Sequence, residues 1–113
     1  MAINSKAKGG RGERELVAIF AGLGYNSHRN DQKYVGGLDN PDVSLPGVHI
    51  ECKRSETLRL YDAVDQAIRD ANGKALPVVM HRKNNHPWVA IMPLDAWVEL
   101  YDKWERDIEK LEK

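Results

Sequence analysis

The sequence predicts an α/β fold with a mixed central β-sheet flanked by helices, in the order α-β-β-β-α-β-β-α. Three observations carry that expectation. Two stretches with apolar residues at helical spacing, 12–23 and 59–72, alternate with short apolar runs bounded by turn residues, and a third helical stretch closes the chain. A chain of 113 residues, 42% hydrophobic and 30% charged, has the size and composition of a single domain, 1–113, with a modest core. No apolar run approaches the roughly 18 residues that a membrane helix requires, and the lone cysteine, Cys52, rules out an intramolecular disulfide or a four-cysteine zinc site within the chain. The polar residues 1–8 lack the apolar stretch of a signal peptide, which points to the cytoplasm.

Each element has its own local signal. Residues 1–11 combine glycines with Lys6, Lys8 and Arg11 and show little apolar periodicity, so a flexible basic arm is expected there. Leu16, Val17, Ile19, Phe20 and Leu23 then follow helical spacing, with Gly24 as the stop. Residues 25–29 read as a short strand, and 30–40, rich in Gly, Asp and Asn around Gly36-Gly37, as an exposed loop. Strands over 42–45 and 48–53 are joined by Pro46-Gly47, a pair suited to a tight turn, and so form a hairpin. Leu60, Ala63, Val64, Ala67, Ile68 and Ala71 share one helical stripe that ends at Gly73. Two more strands, 76–82 and 88–92, flank a turn over Lys83-Asn84-Asn85-His86. Finally Leu94, Trp97, Tyr101, Trp104, Ile108 and Leu111 recur at intervals of three and four, which makes 94–113 an amphipathic helix whose seam belongs to the core or to a dimer.

Net charge is zero, but it is unevenly spread. Residues 94–113 hold seven acids against four bases, leaving the remainder at +3 with its bases clustered at Lys6, Lys8, Arg11 and Arg14, at Arg29 and Lys33, at Lys53, Arg54 and Arg59, and at Arg82 and Lys83. A neutral chain of this kind can present a basic face to a polyanion once its acids are neutralised by a metal.

The chemistry concentrates in Asn40-Pro41-Asp42-Val43 and His49-Ile50-Glu51-Cys52-Lys53. Alternation along a strand puts Glu51 and Lys53 on one face and Ile50 and Cys52 on the other, and the hairpin can bring Asp42 beside them. Two carboxylates converging on a small sheet are costly to desolvate unless a divalent cation compensates. Mg²⁺ suits such oxygen ligands: Asp42 and Glu51, with the Cys52 backbone carbonyl as a third. Lys53 would orient or help deprotonate an attacking water and offset charge on a phosphate. Simpler readings stay open on the residues alone. Glu51 and Lys53 could be a cross-strand ion pair, Asp42 a turn residue, Gln66 a surface amide, and an acid at Glu13 or Glu15 a helix-dipole partner. The four histidines lack zinc-protease spacing, and Gly9-Gly10-Arg11-Gly12 lacks the ending of a phosphate-binding loop, so zinc catalysis and a nucleotide cofactor are not expected.

Pro41-Asp42 followed by Glu51-Cys52-Lys53, with a glutamate-bearing helix before and a polar residue on the helix after, resembles the PD-(D/E)XK nuclease superfamily and its restriction-endonuclease-like core. Lys8-Gly9-Gly10-Arg11-Gly12-Glu13-Arg14-Glu15-Leu16-Val17 is similar to the start of archaeal-type Holliday junction resolvases and their phage-encoded relatives. The resemblance implies catalytic roles for Glu13, Asp42, Glu51, Lys53 and Gln66, with Glu13 joining Asp42, Glu51 and the Cys52 carbonyl at a Mg²⁺ ion that Mn²⁺ can replace. It further implies a homodimer that makes paired, symmetric nicks in branched double-stranded DNA, acting in host cytoplasm if phage-encoded. Lys6, Lys8, Arg11, Arg14, Arg29, Lys33 and Arg54 are the expected DNA contacts. A nuclease for nicked, mismatched or flapped duplex, or a non-catalytic DNA-binding module, are the alternatives.

Overall fold

A computed structural model describes residues 5–29 and 42–112, with side chains from residue 10 onward. The eight elements follow the expected order: α1 (Ser5–Gly22), β1 (His28–Arg29), β2 (Val43–Leu45), β3 (Val48–Arg54), α2 (Leu60–Ala71), β4 (Leu76–Arg82), β5 (Val89–Ile91) and α3 (Leu94–Glu112). The expected loop at 30–40, Lys33, and the side chains of Lys6 and Lys8 lie outside the described residues.

The five strands form one sheet in the order β1-β2-β3-β4-β5. The β2–β3 hairpin pairs Val43 with Ile50 and turns through Pro46-Gly47, where Gly47 takes φ 82°, a left-handed value glycine adopts without steric cost. β3 and β4 run parallel, Glu51 opposite Val79 and Lys53 opposite His81. A parallel pair needs a crossover connection, and α2 supplies it. β5 then returns antiparallel to β4.

The sheet has two covered faces. On one, Leu16 of α1 packs with Val43, Ile50 and Cys52; on the other, Ala63 and Ala67 of α2 pack on Val79. Small residues at the buried positions of α2, Ala63, Ala67 and Ala71, let that helix lie close to the sheet, while Leu60 and Ile68 of the expected stripe remain exposed. The helix ends at Asn72, which takes a left-handed conformation one residue before Gly73.

Two expectations need correction. Residues 5–11, read as a flexible arm, are the first turns of α1. Gly12, the next residue along this helix, serves close packing: a Cβ on it would stand 2.6 Å from Arg54 Cβ and 3.1 Å from Cys52 Sγ. The strand expected at 25–29 is reduced to His28–Arg29. α3, whose seam fitted either core or dimer, is not core: Ala96 is its buried residue, and Trp97, Tyr101 and Trp104 are exposed, with Trp97 and Tyr101 stacked at 5.3 Å.

Candidate active site

The site forms where β2 stops short of β3. Asp42, one residue before β2, donates its backbone N–H to the Ile50 carbonyl at 2.9 Å, which continues the hairpin and sets Asp42 across from Glu51. Ile50 and Cys52 turn their backbone groups toward β2. The Cys52 N–H donates to Asp42 Oδ2 at 2.9 Å.

Alternation along β3 directs His49, Glu51 and Lys53 to the α2 face. Glu51 is 3% exposed, and its Oε1 accepts from His49 Nε2 at 2.8 Å. The Asp42 and Glu51 side chains are close enough to act on each other electrostatically. Burial, then the negative charge of Glu51, pushes the Asp42 carboxyl up from 3.8 to about 6, against the opposing pull of the Cys52 N–H and the Lys53 ammonium. Lys53 Nζ donates to Gln66 Oε1 of α2 at 3.1 Å. Thus Asp42, Glu51, Lys53 and Gln66, chosen from the sequence, come together on one side of β3.

Glu13 arrives from α1. It is 4% exposed and accepts from Arg29 Nε at 3.0 Å. The Cys52 thiol senses this crowding: burial, then the charges of Asp42, Glu13 and Glu15, push it up to about 12. Cys52 is therefore a thiol at neutral pH, packed with the core and not poised as a nucleophile.

The expected DNA contacts divide. Arg11 and Arg14 are exposed on α1, and Arg29 is bound to Glu13. Arg54 is the exception to the expected set: its side chain is 9% exposed, donates to the Arg82 carbonyl at 3.3 Å and Asn84 Oδ1 at 2.8 Å, and faces Glu15, which also binds Arg82 at 2.6 Å. This network ties α1 to the ends of β3 and β4, so Arg54 is a structural cation.

Among the described residues no helix is long and apolar enough to cross a membrane. No family model and no curated protein matches the sequence. Among solved structures, the 1.6 Å structure of Archaeoglobus fulgidus Hjc, a Holliday junction resolvase from an archaeal hyperthermophile, superimposes with a TM-score of 0.58 and 26% identity over 75% of this chain and 72% of that one. The chain shares the fold of an archaeal Holliday junction resolvase. The resemblance drawn from Asp42, Glu51 and Lys53 thus extends to the architecture: a mixed five-stranded sheet with three helices in the expected order.

Within this resolvase fold, two residues near the site escaped sequence reasoning. His49, Glu51 and Asp70 each offer a ligand atom, all within 4.8 Å of one another. The His49-x-Glu51 spacing on one strand was a legible signal; Asp70, on the last turn of α2, joins only through the fold.

Proposed function

We propose that this protein is a metal-dependent, structure-specific DNA endonuclease that resolves four-way junctions by paired nicks. The observation that supports it best is the meeting of the Asp42 and Glu51 carboxyl groups beside a lysine held by Gln66, within a resolvase fold.

The residues present fit a divalent cation. Two half-buried or buried carboxyl groups face each other at a cost visible in the raised Asp42 pKa, and oxygen donors of this kind suit Mg²⁺, with Mn²⁺ as a substitute. Asp42 and Glu51 would hold it, with the Cys52 carbonyl as a third ligand and Glu13 as the acid from α1. A cation bound there would draw charge from the phosphate oxygens and acidify a water. Lys53, aimed by Gln66, places a compact positive charge where a phosphate oxygen or the attacking water would lie. Hydrolysis adds the water oxygen to phosphorus as the phosphorus–oxygen bond to the departing strand breaks, and the departing oxygen takes a proton.

Branched duplex DNA is the proposed substrate. Arg11 and Arg14 on α1, with Lys6 and Lys8 in the same helix and Arg29 and Lys33 beyond it, would grip phosphates without reading sequence. A homodimer would give a two-fold substrate two equivalent sites, and the exposed aromatic seam of α3 is a surface suited to a second copy.

Cleavage of a strand-labelled four-way junction and of its matched linear duplex, each with Mg²⁺ and with EDTA, tests this reading. Symmetric Mg²⁺-dependent nicks confined to the junction are expected. Equal cutting of the linear duplex would retain the nuclease and discard junction specificity, while binding without product would make the chain a DNA-binding module.

A further inference from the structure

We propose that His49 is a positioning residue that fixes the Glu51 carboxylate in the orientation that meets Asp42. The inference rests on the metal-dependent reading above and extends it to a residue outside the motif.

A glutamate side chain has three rotatable bonds, so a strand can place its Cα without placing its oxygens. Glu51 Oε1 accepts from His49 Nε2 at 2.8 Å, while the nearby Asp42 carboxylate pushes against Glu51 when both are ionised. A carboxylate oxygen only accepts, so this contact with an ionised Glu51 requires the tautomer that carries the proton on Nε2. Both side chains are 3–4% exposed, so water does not compete for the bond. The two residues stand two apart on β3 and project to the same face, which gives the imidazole a fixed offset from the carboxylate. Asp70 adds a third ligand atom within 4.8 Å, so a cation held directly by His49, Glu51 and Asp70 is the rival arrangement. The short bond favours positioning, because it already occupies Nε2. Carboxylates that bind metals are themselves held by such hydrogen bonds.

The test compares His49→Leu, which removes the donor at similar bulk, with His49→Gln, which keeps an N–H donor. Uptake of Mg²⁺ and Mn²⁺ by the DNA-free proteins is followed by calorimetry and folding by thermal melts. Affinity about 10- to 100-fold weaker in His49→Leu, largely rescued in His49→Gln, with both variants folded, is the expected result. Native affinity in His49→Leu overturns the proposal and leaves the nuclease reading standing. A native protein that takes up neither cation overturns the metal reading itself, and this proposal with it. A ¹⁴N coupling from the imidazole in the spin-echo spectrum of bound Mn²⁺ makes His49 a ligand and also overturns it. If His49→Leu does not fold, His49→Asn, whose amide falls short of Glu51, takes its place under the same expectations.

Discussion

The two faces of β3 divide the labour of this protein. Toward α1 the strand presents Ile50 and Cys52, which pack with Leu16 and Val43 and hold the fold. Toward α2 it presents His49, Glu51 and Lys53, which are polar, close to other ionisable groups and costly to bury. One seven-residue strand thus supplies core and chemistry at alternate positions. The arrangement shows why the site can be strained without loosening the sheet: the residues that bear the cost share a backbone with residues that repay it on the other side.

The strongest way to break the comparison is on the polar face. Asp42→Asn and Lys53→Ala are expected to lower junction cleavage by a factor on the order of 10³ or more, with DNA binding retained. Unchanged nicking in single-turnover assays of both variants would remove these residues from the reaction.

A pH titration gives the next largest effect. Burial and Glu51 raise the folded pKa of Asp42 from 3.8 to about 6, so the folded state favours its protonated form. Without a cation, stability is therefore unaffected below about pH 4 and falls as pH rises through about 6, by an amount on the order of 3 kcal/mol relative to Asp42→Asn. Saturating Mg²⁺ should erase the difference. Denaturant melts between pH 4 and 7 that fall in parallel for the two proteins would contradict it.

The apolar face is tested by Gly12→Ala. The added methyl meets Arg54 Cβ, a backbone-anchored atom, at 2.6 Å, so α1 has to move away from β3. A loss of about 1–3 kcal/mol is expected from overpacking of this kind. Equal stability of the variant in urea melts would mean that α1 does not approach β3 as described. The smallest effect is expected at Gln66→Ala, which frees Lys53 from its aiming contact: cleavage about 10-fold slower with stability near native. A loss as large as that of Lys53→Ala would give Gln66 a direct part in the chemistry.

The motif residues were legible because strand alternation and a tight turn are local rules. Asp42, Glu51 and Lys53 needed only the hairpin through Pro46-Gly47 to be brought together. The surroundings of Arg54 were hidden for the opposite reason: a basic residue beside a site looks like a phosphate contact until Glu15 of α1 and Arg82 and Asn84 at the end of β4 are seen to take up its guanidinium. The packing role of Gly12 was hidden likewise, since composition alone does not distinguish a glycine that frees the chain from one that lets a helix touch a strand.

Periodicity and turn chemistry in the sequence determined the order of elements, the two faces of β3 and the pairing of Asp42 with Glu51, because each depends on residues close in the chain. Tertiary structure alone decided that β3 and β4 run parallel, that Gln66 reaches Lys53, that Glu13 and Arg29 pair, and that Asp70 joins His49 and Glu51. Those contacts join residues 13 to 28 positions apart, and their formation depends on how helices dock on the sheet, where shape and burial across the whole domain outweigh any local preference.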